Sequence, residues 1–66
     1  MKVFLDQHSD ALYFRLDDSK IVESEEVKPG IILDFHEQQQ VVGVEVLDAG
    51  KRVPQASLKQ MHFEVA

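Results

Sequence analysis

The chain is predicted to fold as an α+β domain: a mostly antiparallel, meandering sheet of four or five strands with one short C-terminal helix. Two hairpin patterns and one break in pattern predict it. The central hairpin runs from Gly30 to Asp48, where two apolar, β-branched runs flank the polar connection His36-Glu37-Gln38-Gln39-Gln40. Ile31, Leu33 and Phe35 alternate on one run, and Val42, Val44 and Val46 on the other. Pairing Phe35 with Val42 sets Leu33 opposite Val44 and Ile31 opposite Val46, which makes one face continuously apolar. The second hairpin joins Lys2–Asp6 to Ala11–Leu16, with Leu5 facing Leu12 and Val3 facing Phe14 on the same apolar side. The break comes after Asp48, where period-two alternation stops.

In chain order, Lys2–Asp6 is a short strand, with Val3 and Leu5 on one side and Phe4 on the other. Asp6-Gln7-His8-Ser9-Asp10 is a turn, since Asp and Ser bond nearby backbone amides. Ala11–Leu16 points Leu12, Phe14 and Leu16 one way and Tyr13 and Arg15 the other, so that Phe4 faces Tyr13. Asp17-Asp18-Ser19-Lys20 is a polar turn. Ile21–Val27 carries three glutamates and alternates imperfectly, which suits an edge strand whose charges discourage pairing with other chains. Pro29-Gly30 turns the chain into the central hairpin. Ala49-Gly50-Lys51-Arg52 is a break, and Pro54 suits the first position of a helix. Ala56, Leu58, Met61 and Val65 form a partial helical stripe, opposite Lys59, Gln60 and Glu64. So short a helix needs a surface to dock on, in its own chain or a neighbour's.

The chain has 66 residues, no cysteine and 44% hydrophobic residues. That is one domain, residues 1–66, too apolar to be disordered and without disulfide or thiolate metal site. A chain of this size buries only about 60% of its unfolded surface, so association with another copy is expected, a dimer before larger assemblies. The expected core is Val3, Leu5, Leu12, Phe14, Leu16, Ile31, Leu33, Phe35, Val42, Val44 and Val46. Within it, Leu33→Ala is expected to cost roughly 2–5 kcal/mol. Twelve acidic residues against seven basic give a net charge of −5. Nucleic-acid binding by the chain itself is not expected, because phosphate neutralisation needs the opposite sign. Lys51, Arg52 and Lys59 form a basic cluster too small to change that. Asp6 follows Met1–Leu5 at once and leaves no room for a signal-peptide core. No run approaches the ~18 apolar residues of a membrane span. The cytoplasm is the expected compartment.

The outer sheet face holds the most distinctive constellation. The central register sets Asp34 opposite Gly43 and Ile32 opposite Glu45, and Tyr13 and Arg15 point the same way. If Ala11–Leu16 neighbours the central hairpin, Tyr13 lies over Gly43 and Arg15 reaches Asp34 or Glu45, with a bidentate pair in range. Phe4, Tyr13, Arg15, Ile32, Asp34, Gly43, Glu45 and Leu47 are therefore the candidate interaction surface. With Phe4, Tyr13, Ile32 and Leu47 among them, that face needs cover from the C-terminal helix or a second subunit. The plainer reading is a cross-strand salt bridge beside an aromatic lid, contributing about 0–1 kcal/mol.

Asp10-Ala11-Leu12-Tyr13-Phe14-Arg15-Leu16, Pro29-Gly30-Ile31-Ile32-Leu33-Asp34-Phe35 and Val42-Gly43-Val44-Glu45-Val46-Leu47-Asp48-Ala49 together resemble the short prokaryotic proteins grouped as domain of unknown function 2283. The resemblance covers about Asp6 to Ala49. It departs at Glu37-Gln38-Gln39-Gln40, where the family has an acidic turn with glycine. The resemblance supports the strands and implies no activity. Family members sometimes occur beside small toxin-like proteins, which implies an antitoxin-like role as partner of a small basic toxin.

Catalytic chemistry finds little support. Ser9, Ser19, Ser24 and Ser57 lie outside any glycine-flanked elbow and have no evident histidine partner. The three glycines form no phosphate cradle. His8, His36 and His62 show none of the close spacings of metal ligands, and solvated loop histidines are the expectation for His8 and His36. No cofactor, catalytic residue or metal site is assigned. The leading expectation is a non-enzymatic, self-associating interaction module. The alternatives are the antitoxin-like partner and a small enzyme or metal protein using Asp34, Glu45 and the histidines.

Overall fold

The computed structural model describes residues 1–66, apart from the side chain of Gln55. Five strands form one antiparallel sheet: β1 (Lys2–Asp6), β2 (Ala11–Arg15), β3 (Glu23–Lys28), β4 (Ile31–Phe35) and β5 (Val41–Leu47). Their order across the sheet is β1-β2-β5-β4-β3. Two single-turn helices follow, α1 (Ala49–Arg52) and α2 (Gln55–Leu58). The α+β architecture, mostly antiparallel sheet, is as the sequence predicts, but the sheet is not the expected meander: β5 takes the place beside β2, and the connection from Arg15 to Glu23 carries the chain to β3 at the far edge.

Alternation fixes the register in both hairpins. Leu5 pairs with Leu12, Val3 with Phe14 and Phe4 with Tyr13. Ile31 pairs with Val46, Ile32 with Glu45, Leu33 with Val44 and Asp34 with Gly43. The expected pairing of Phe35 with Val42 is displaced: an irregularity after Asp34 sets Phe35 opposite Val41. Val42 is the extra residue of this bulge, and at 1% exposure it is the largest fully buried side chain among the described residues. The glutamate strand β3 lies at the edge, every residue exposed.

Turn chemistry follows from the polar residues. Asp6 Oδ1 accepts the His8 and Ser9 amides at 3.0 and 3.3 Å. Bonds from the Ser9 hydroxyl and from these two amides hold the Asp6 carboxyl below its ordinary pKa. Gly30 has φ 81°, a left-handed conformation that glycine adopts without strain, and the Arg52 guanidinium fills the space beside it. That guanidinium donates to the Pro29 and Leu47 carbonyls at 2.7 and 2.9 Å, tying the end of α1 to the β3–β4 turn.

The expected single C-terminal helix is replaced by the two short turns, and residues 59–66 have no regular structure. Helical order over Ala49-Gly50-Lys51-Arg52, read above as a break, comes from contacts distant in sequence. The Ala49 amide donates to the Asp10 carbonyl at 2.9 Å and the Gly50 amide to Asp10 Oδ1 at 2.8 Å. Val53 is extended and ends α1. Beyond Leu58 the helical stripe fails: Met61, Phe63 and Val65 are exposed. So short a helix with no surface under that stripe does not propagate.

The core is smaller than the eleven residues expected. Among the described apolar residues only Leu12, Val42 and Ala49 are buried, while Val3 and Leu16 are 40% and 45% exposed. Leu5, Phe14, Ile31, Leu33, Phe35, Val44 and Val46 are half-buried. A single sheet buries side chains fully only where another layer covers them.

Candidate functional site

The outer face is built by two rows of side chains crossing the strands. Phe4, Tyr13, Glu45 and Ile32 are paired in succession across β1, β2, β5 and β4. One row along, Arg15, Gly43, Asp34 and Ser24 are paired across β2, β5, β4 and β3. Leu47 pairs with Ala11 at the end of the same face. All eight predicted surface residues therefore share one side of the sheet, as alternation requires.

Gly43 is the focus of this face. A Cβ built there would lie 2.5 Å from the Tyr13 hydroxyl and 2.8 Å from Asp34 Oδ2. The phenol occupies the space a side chain would take, on the diagonal from its own partner Glu45. Phe4 stacks on Tyr13 with ring centroids 6.3 Å apart and planes at 26°, a favourable offset arrangement. Phe4 itself is 52% exposed, whereas Tyr13, Ile32, Glu45 and Leu47 are half-buried.

The expected Arg15 ion pair does not form. Arg15 donates from Nε to the Asp17 carbonyl at 2.6 Å, from Nη1 to the Tyr13 hydroxyl at 3.2 Å and from Nη2 to the Ser19 carbonyl. Three acceptors from the adjoining segment are within reach of one fork, and they hold it away from the carboxylates. Asp34, 3% exposed, instead accepts the Ser24 hydroxyl at 2.6 Å on Oδ1. The sequence reading missed Ser24; its signal was its place between Glu23 and Glu25, the small residue opposite Asp34. Ser19 also donates to Asp17, and this bond chiefly holds the Asp17 carboxyl below its ordinary pKa.

The histidines do not converge. His8 lies in the β1–β2 turn and His36 follows β4, and the antiparallel order sets these turns at opposite ends of the sheet. His36 is buried, in contrast to the solvated ring expected. Its Nδ1 accepts the Gln38 amide at 2.9 Å and its Nε2 lies 3.3 Å from Gln40 Oε1. The ring braces the β4–β5 turn, in which Gln39 takes φ 65°. His62 contacts Glu64 at 3.2 Å in the exposed C-terminal segment. Among the described residues no three His, Asp or Glu side chains are grouped to hold a metal ion. No described helix is long and apolar enough to cross a membrane.

The three matching stretches quoted above lie on β2, on the β3–β4 turn with β4, and on β5, and they meet around Gly43. A family model described as "Protein of unknown function (DUF2283)" matches residues 2–49. The chain belongs to the DUF2283 family. The DUF2283 match spans all five strands and stops at the first residue of α1, so the sheet carries the family pattern and residues 50–66 lie outside it. Gly43 and its lid are thus part of the DUF2283 sheet. No curated protein and no solved structure matches the chain.

Proposed function

We propose that this DUF2283 protein is a small, non-enzymatic interaction module that self-associates. The observation that carries the reading is the core: among the described residues its buried apolar side chains are Leu12 and Val42 of the sheet and Ala49 of α1. A domain near the lower size limit needs a further source of burial, and a second chain supplies it. The carboxylate with the best claim to acid–base work, Asp34, is engaged by Ser24 and faces the Tyr13 lid rather than a cleft. That arrangement suits a structural role. Sedimentation equilibrium at micromolar concentration tests the reading, with a concentration-dependent dimer expected. A monomer throughout that range overturns it.

A second reading draws on charge. Glu23, Glu25 and Glu26 lie exposed on the edge strand of a chain with net charge −5, and such an edge attracts a basic protein partner. Co-purification with a small basic protein from the native host supports an antitoxin-like role, and recovery of the protein alone counts against it.

A further inference from the structure

The two edges of the sheet differ in what they can accept. β1 has β2 as its one neighbour in the sheet, so alternate amides and carbonyls along it face outward without a strand partner. Four of its five residues are exposed, Leu5 alone being half-buried, whereas no residue of β2 is exposed. Val3 and Phe4, on opposite faces of β1, are 40% and 52% exposed. The other edge, β3, is exposed along its whole length and presents Glu23, Glu25 and Glu26.

The segment after α2 carries the pattern of a strand. Met61, Phe63 and Val65 alternate with His62 and Glu64, a period of two over five residues. Those three apolar side chains are 53%, 75% and 83% exposed. His62 Nε2 and Glu64 Oε1 lie 3.2 Å apart, so the two polar side chains already share one side. The segment also starts beside β1. Leu58 and Lys59 line a cleft with Leu5, Gln7 and Asp10, at the end of β1 that turns into β2. From Leu58 to Met61 the chain spans at most about 10 Å, enough to reach the adjacent edge. The β3 edge lies four strand spacings from β1, about 19 Å.

A strand leaving that end of β1 must run antiparallel to it. Setting Met61 opposite Leu5 brings His62 opposite Phe4, Phe63 opposite Val3 and Glu64 opposite Lys2. Met61 and Phe63 then extend the apolar face, Phe63 against a β-branched partner, while Glu64 meets a cation on the outer face. A slip of one residue would reverse every face. Along β3 the same segment would meet a glutamate in either phase, since Glu25 and Glu26 point to opposite faces.

We infer that residues 61–65 act as a strap, a sixth strand that closes on the free edge of β1 within the same chain, Phe63 beside Val3 and Glu64 beside Lys2. The structure holds this strap open, with residues 59–66 outside any regular element. Closure protects an edge that is otherwise a template for other chains, and opening makes it available. It needs no second copy, so it holds or fails apart from self-association.

The chain has no cysteine, so an introduced pair reports one contact. F4C/H62C and V3C/H62C are compared in the full chain in a thiol–disulfide buffer, with circular dichroism reporting folding. A closed strap sets positions 4 and 62 on one face and within bridging range, whereas positions 3 and 62 point to opposite faces. The intramolecular disulfide of F4C/H62C is expected to be favoured about tenfold or more over that of V3C/H62C. Equal yields from the two pairs show a segment without register and overturn the inference. A product dominated by disulfide-linked dimers assigns the docking edge to a second copy and overturns closure within the chain. Should either variant fail to fold, NMR of the wild-type protein decides. Nuclear Overhauser contacts between Phe63 and Val3, with slowed amide exchange over residues 61–65 that is unchanged on dilution, support the strap. Exchange at the rate of an unstructured chain throughout residues 61–65 overturns it.

Discussion

The Tyr13 hydroxyl stands over Gly43, 2.5 Å from where a Cβ would be, and Asp34 Oδ2 closes the same space at 2.8 Å. Any side chain at position 43 must therefore displace a phenol bonded to Arg15 and a carboxylate bonded to Ser24. Gly43→Ala is expected to destabilise the fold by about 1–3 kcal/mol through overpacking. Urea denaturation of Gly43→Ala, Tyr13→Phe and the double variant checks this. Removing the hydroxyl is expected to recover part of the loss, giving a non-additive cycle.

Asp34 and Ser24 make a second prediction. Ser24→Ala takes the hydroxyl donor from a carboxylate that is 3% exposed. An under-partnered buried polar group of this kind costs about 1–3 kcal/mol. The denaturation midpoint of Ser24→Ala is expected to fall accordingly, while Ser24→Thr keeps a hydroxyl and most of the stability. Equal losses in both variants would show that strand packing, not the bond, sets the cost.

Leu12 and Leu33 differ in how far the single chain buries them. Leu12 is buried within the single chain, so Leu12→Ala is expected to cost about 2–5 kcal/mol. Leu33 is only half-buried there, so Leu33→Ala is expected to cost less than the roughly 2–5 kcal/mol of a fully buried leucine. Urea denaturation of the two variants checks this, with the larger fall in midpoint expected for Leu12→Ala.

Acid weakens the fold through two turns. The Asp6 and Asp17 carboxyls lie below their ordinary pKa, chiefly through the Ser9 and Ser19 hydroxyls. A group whose folded pKa is depressed contributes stability above its unfolded pKa, and that contribution is lost as pH falls through the folded value. Stability is thus expected to decline from about pH 4 downward. NMR titration of the two side chains checks the direction, and Asp6→Asn is expected to remove the part due to the β1–β2 turn.

Much of the sheet was legible in the chain. Leu12, Phe14 and Val44 alternate with polar, amphipathic or small neighbours and Leu33 precedes Asp34, so a slip of one residue would turn each pattern to the wrong face. That is why the registers Leu5–Leu12 and Leu33–Val44 agree with expectation. The bulge at Val42 was hidden, because an extra β-branched residue in an apolar run leaves the alternation readable in two ways. The Arg15 partner was misread for a different reason: parity places Arg15 and Asp34 on one face but says nothing of the Tyr13, Asp17 and Ser19 oxygens that compete for the guanidinium.

A period of two and hairpin pairing were enough to set the strands, which side chains share a face, and the meeting of Tyr13, Gly43 and Asp34. Alternation is silent on the rest: that α1 forms where a break was expected, that Ser24 serves Asp34, that His36 is buried, and that the C-terminal stripe finds no surface. The first two depend on a partner brought from another part of the chain, such as Asp10 reaching Gly50 at 2.8 Å. No local pattern records such a partner.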